Sequence, residues 1–126
     1  MGRGSSKVGG GGGGANISSQ AIPAGKRSLS NSEIVAAQKQ IDKTAFNKVG
    51  NGVWDFSGPY TIGAQILDET DSSAGGYGRM TTYSVKTWGQ AVGDVSPTRY
   101  FGSLNAAKVA AKEEMKGWVP SVTVKQ

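Results

Sequence analysis

Four carboxylates set the first chemical question: Asp68, Glu69 and Asp71 gather in one polar run, and Glu114 stands alone among Ala107, Ala110 and Trp118. Oxygen ligands suit calcium or magnesium, but this run fails the spacing of a calcium loop and has no glycine at the turn position. Catalysis by paired carboxylates needs two acids facing each other across a cleft with separated pKa values. The ordinary role for Glu114 is a salt bridge or hydrogen bond at the rim of a sheet. The chain has neither histidine nor cysteine, so a Ser or Tyr nucleophile lacks the usual activating base. Thiolate chemistry, disulfides and cysteine metal sites are excluded. Gly75-Gly76-Tyr77-Gly78 does not open a helix and lacks the lysine of a phosphate loop, so it reads as a hairpin loop. We expect no catalytic residue, no metal and no cofactor.

Binding is the remaining chemistry. Lys86 beside Trp88, with Tyr100 on a neighbouring strand, can set an ammonium against a phosphate while a ring stacks on a base. The same aromatic pair would also serve to anchor a protein, or could belong to a solvated sheet face.

The other candidate cations are Arg3, Lys7, Lys26 and Arg27, all within residues 1–29, a segment with no acid. It contains nine of the twenty glycines, including the run Gly9–Gly14. Such a stretch has too little apolar surface to offset the entropy of ordering it and reads as a flexible basic tail. Residues 30–126 form the expected single domain. There ten basic side chains nearly balance nine acidic ones, so most of the net charge of +5 belongs to the tail. With neither an apolar leader nor a membrane-length apolar run, a soluble protein acting in the cytoplasm of a host cell is expected.

The elements that would position these residues follow from capping and periodicity. Ser30-Asn31-Ser32-Glu33 has the spacing of a capping box. It opens a helix expected to run to about Val49, with Ile34, Ala37, Ile41, Ala45 and Val49 on one face and Gly50 as its stop. Strands are expected over Val53–Phe56, Tyr60–Leu67, Arg79–Gly89 and Thr98–Phe101, separated by turns and by the polar loop Asp68–Gly78. Ser103 caps a second helix whose core stripe is Leu104, Ala107, Ala111, Met115 and Trp118. Ser121–Lys125 could add an edge strand. The architecture expected is α+β: a three- to four-stranded, mainly antiparallel sheet with both helices on one face. Gln65, Thr82, Ser84, Lys86, Trp88 and Tyr100 would then lie on the open face.

The segment Phe101-Gly102-Ser103-Leu104-Asn105-Ala106-Ala107 resembles the last strand and helix start of the three-stranded DNA-binding domains of the phage integrase arm type and of AP2-like proteins. That resemblance implies a sheet inserted in the major groove with the helix behind it. The matched residues Phe101, Ser103 and Ala107 are structural and carry over no base-reading residue. The opening MGRGSSKVGGGGGGA is similar in composition to the starts of small bacteriophage accessory proteins, anti-defence and anti-CRISPR inhibitors among them, which act by occupying surfaces. The expected function is non-enzymatic binding of a nucleic acid or nucleoprotein complex through the basic tail and the open sheet face. An inhibitor docking on a host protein, or a minor structural component of a particle, are the alternatives.

Overall fold

The computed structural model describes residues 22–70 and 80–126. Arg3, Lys7, Asp71 and Gly75–Gly78 lie outside the described residues.

Element order is β1 (Lys26–Ser28), α1 (Asn31–Lys43), β2 (Asn47–Gly50), β3 (Val53–Ser57), β4 (Gly63–Asp68), β5 (Tyr83–Trp88), β6 (Arg99–Phe101), α2 (Leu104–Trp118) and β7 (Thr123–Lys125). Strands β2 to β6 form an antiparallel five-stranded sheet in chain order, while β1 and β7 pair separately as a two-stranded ribbon. This is an α+β fold with both helices on the same side of the main sheet.

The capping box is present in full: the Glu33 amide donates to Ser30 Oγ at 3.2 Å, and the Ser30 amide donates to Glu33 Oε1 at 2.7 Å. The helix that it opens stops at Lys43, not near Val49. Thr44 is already extended, and its amide and hydroxyl both donate to the Gln40 carbonyl. Phe46 and Val49 favour a pleated backbone, and Asn47, Lys48 and Gly50 pair with β3 across the Asn51-Gly52 turn, with an irregularity at Val49. A fifth strand thus replaces the expected last turn of helix.

Strand β4 begins at Gly63, not Tyr60. Pro59–Thr61 makes a tight turn in which Tyr60 (φ 57°) and Thr61 (φ 62°) both adopt the left-handed conformation. The Ile62 amide donates to the Pro59 carbonyl and the Gly58 amide to the Ile62 carbonyl, which closes the β3–β4 hairpin.

Cross-strand register assigns the faces, because directly paired residues share a side. Trp54 pairs with Ile66 and Ile66 with Val85, while Phe56 pairs with Ala64 and Ala64 with Thr87. These residues face the helices, and all except Trp54 are buried with Ala107, Ala111 and Met115 of α2. Helix α2 packs chiefly on β5 with β4 and β6. Helix α1 leans on α2 and on the short helical turns Pro59–Thr61 and Val119–Ser121. Burial of Ala37 and Ile41 joins α1 to the same core.

The boundary expected at residue 30 moves toward the N-terminus. Lys26, Arg27 and Ser28 stand in register with Lys125, Val124 and Thr123, and the Gln126 amide donates to the Gly25 carbonyl. Residues 26–28 therefore belong to the fold and not to a tail. Leu29, only 7% exposed, packs into the core. The reason is partnership: a polar segment too short to order alone is held by backbone pairing to the C-terminal strand.

Candidate functional site

The helix-free face of the main sheet has three rows. One runs Val53, Leu67, Ser84 and Tyr100, the next Asn47, Asp55, Gln65 and Lys86, and the third Ser57, Gly63 and Trp88. Lys86, Trp88 and Tyr100 therefore share this face, as the strand alternation predicts. Tyr100 is 64% exposed, Lys86 is exposed and Trp88 is half-buried.

Trp88 owes its position to Gly63, directly opposite on β4. A Cβ there would meet indole Cζ2 and Nε1 at 2.7 Å, so the missing side chain lets the ring lie across the neighbouring strand. Trp88 and the Tyr100–Ser84 pair are four residues apart along β5, roughly 13 Å at strand rise. Lys86 lies between them. In its own row Gln65 donates to Asp55 at 3.3 Å, so Lys86 and Asp55 cancel and the face carries little net charge.

Of the four expected tail cations, Lys26 and Arg27 are among the described residues. Arg27 is held in a two-pronged pair with Glu33, Nη1 to Oε1 at 2.8 Å and Nη2 to Oε2 at 3.0 Å. This contact, helped by the Ser30 amide, lowers the Glu33 carboxyl to about 2, and it removes Arg27 from the cations open to a phosphate. Lys26 is exposed and stands directly opposite Lys125, a doubly positive spot on the ribbon.

The ribbon is also not a free edge. Gln90 donates from Nε2 to the Thr123 carbonyl at 2.7 Å and accepts the Thr123 amide on Oε1 at 2.9 Å. Strand β7 thus has β1 on one side and a glutamine acting as a strand on the other. This arrangement occupies the outer edge of β7 at Thr123.

Glu114 does sit at the sheet rim. Trp118 Nε1 donates to Thr87 Oγ1 at 3.1 Å, the Thr87 hydroxyl donates to Glu114 Oε1 at 3.1 Å, and Arg99 pairs with Glu114 Oε2. Trp118 Nε1, the Thr87 hydroxyl and both Glu114 oxygens are all engaged within the chain, so this is a structural network. Arg99 escaped the sequence reading because only the β5–β6 register brings it over α2. Asp68 accepts from the Thr70 amide at 2.9 Å and from its hydroxyl at 2.6 Å, which lowers its pKa. Among the described residues, no group of three metal-ligating side chains comes together.

A second surface went unread in the sequence. Ala45, Phe46, Asn105, Lys108, Val109 and Lys112 line a half-open groove of about 280 Å³ between the α1–β2 connection and the flank of α2. Phe46 and Phe56 have ring centroids 5.0 Å apart, with Lys112 Nζ 6.0 Å from the Phe56 ring. Further along the same side, Lys48 Nζ lies 5.6 Å above the Trp54 ring. On the sequence, Phe46 and Lys48 fall within the helix expected to run to about Val49, so nothing local brings them to the side of Lys108 and Lys112.

Among the described residues no helix is long and apolar enough to cross a membrane. No family model matches the chain, and no curated protein or solved structure matches it.

Proposed function

We propose that this protein is a non-enzymatic binding module that engages a nucleic acid or nucleoprotein complex, with the helix-free sheet face as its specific contact. The observation that carries the reading is the placement of Lys86, Trp88 and Tyr100 together on a face that no helix covers. An aromatic ring offers stacking energy to any base, and a lysine between two rings supplies a backbone contact. Arg3, Lys7 and Lys26 add non-specific attraction through phosphate neutralisation. The compositional likeness to phage accessory proteins supports a surface-occupying role in a host cytoplasm.

A second reading is favoured by one observation. Asp55 offsets Lys86, so the face resembles a protein-docking patch with Trp88 and Tyr100 as anchors. In that case the molecule is an anti-defence type of inhibitor seated on a host protein. The two readings part in a salt series. Oligonucleotide binding that weakens steeply with salt, and less steeply in Arg3→Gln/Lys7→Gln, supports the first. Salt-insensitive capture of a nuclease-resistant protein partner, abolished by Tyr100→Ala, supports the second and defeats the first.

A further inference from the structure

We infer that the groove between the α1–β2 connection and α2, on the opposite side of the sheet from Trp88, is a second contact surface that takes a single strand of nucleic acid. The inference rests on the nucleic-acid reading for its ligand class and adds a separate location.

Three observations carry it. The first is uncompensated charge. Among the described residues, Lys48, Lys108 and Lys112 make no ion pair. Lys112 donates to the Asp42 backbone carbonyl at 3.0 Å and so stays positive. The acids on the adjoining helices are already engaged: Lys116 holds Asp42 at 3.0 Å and Glu113 at 2.9 Å. Lys116 is shared between two carboxylates, but the four lysines Lys48, Lys108, Lys112 and Lys116 outnumber the two acids Asp42 and Glu113, so this side is net basic.

The second is ring surface beside the charge. Phe46 and Trp54 are both half-buried, one lining the groove and the other two residues along β3 from Phe56. The third is incomplete roofing. Helix α2 packs on β4, β5 and β6, which leaves β2 and the adjoining part of β3 bordered by α2 but not covered. Lys108 and Lys112 are one helical turn apart, about 5–6 Å between Cβ atoms, and Lys48 lies on the same side of the sheet, over the Trp54 ring. A row of cations along an open channel with rings at its side is the arrangement by which proteins hold single strands without reading sequence.

The test uses the full chain and a fluorescein-labelled oligothymidylate, read by anisotropy over a salt series. Lys48→Ala/Lys108→Ala should weaken binding at least about tenfold at low salt and reduce the slope of log K against log salt by about 1.4 for two lysines. Thermal melts report whether the variant folds. If it does not, amide chemical-shift mapping on the unaltered protein takes its place, with shifts expected over residues 45–48 and 105–112. Binding and slope unchanged in the groove variant but lost in Lys86→Ala/Tyr100→Ala, or shifts confined to residues 84–100, would overturn the groove and leave the sheet-face reading standing. No binding of oligothymidylate at all, with duplex DNA and RNA also unbound, would overturn both.

Discussion

The indole of Trp88 lies across Gly63 on the helix-free side of the sheet, and a single added methyl at residue 63 would come within 2.7 Å of it. The same Cβ would sit 2.8 Å from the Phe56 carbonyl oxygen, so neither ring nor backbone can accommodate it freely. Gly63→Ala should cost about 1–3 kcal/mol in urea unfolding and shift the tryptophan emission. A variant as stable as the parent, with unchanged emission, would mean that the ring rests elsewhere.

The polar chain Trp118–Thr87–Glu114–Arg99 makes a graded prediction. Thr87 is fully buried, so Glu114→Ala strands its hydroxyl and should destabilise by about 1–3 kcal/mol. Arg99→Ala removes a partner that is half exposed and should cost less, about 1 kcal/mol or under. Chemical denaturation of the two variants checks the order, and the reverse order would contradict the assignment of Thr87 as the dependent group.

Tyr60 and Thr61 occupy consecutive left-handed positions, where a β-branched residue is strained. Paired left-handed residues suit hairpin twist, and such turns usually carry Asn and Gly. Thr61→Gly should therefore stabilise the fold by about 1 kcal/mol once the added freedom of the unfolded chain is subtracted. A lower melting temperature would show that the Thr61 hydroxyl, which donates to the Tyr60 carbonyl at 2.5 Å, matters more than the backbone strain.

The Arg27–Glu33 pair ties β1 to the first turn of α1 and sets an acid limit. Held by Arg27 and by the Ser30 amide, Glu33 titrates at about 2 in the fold against 4.5 in an open chain. A lowered carboxyl stabilises fully above its unfolded pKa, and that contribution fades as pH falls toward the folded value. Melting temperature should accordingly drop between pH 4.5 and 2. Glu33→Gln should start lower at neutral pH and show a shallower drop over the same range. Identical slopes would assign the acid sensitivity to other groups.

Much of this architecture is legible in the residues, for local reasons. Ser30 and Glu33 announce a helix start because capping is settled within four residues, and the alternation through Tyr83–Trp88 fixes which side chains share a face. What escapes is set by distant partners. Ala45 and Val49 continue a helical stripe on paper, yet the chain leaves the helix at Lys43, and Asn47–Gly50 become a strand because β3 supplies hydrogen bonds. Lys26 and Arg27 look like part of a glycine-rich arm until β7 pairs with them. The basic groove depends on the first of these, since it exists only where the chain leaves α1 at Lys43 and runs beside α2. The open face needed only period two, so its three candidates were placed correctly.

The most direct measurement is the affinity of the full chain for mixed-sequence oligonucleotides, single- and double-stranded, compared with Lys86→Glu/Tyr100→Ala. Both side chains are solvent-facing, so the fold should survive. Loss of one stacking ring is worth about 1–3 kcal/mol, and the account predicts that affinity falls tenfold or more while the melting temperature holds. Equal affinity in parent and variant, at equal stability, would contradict it.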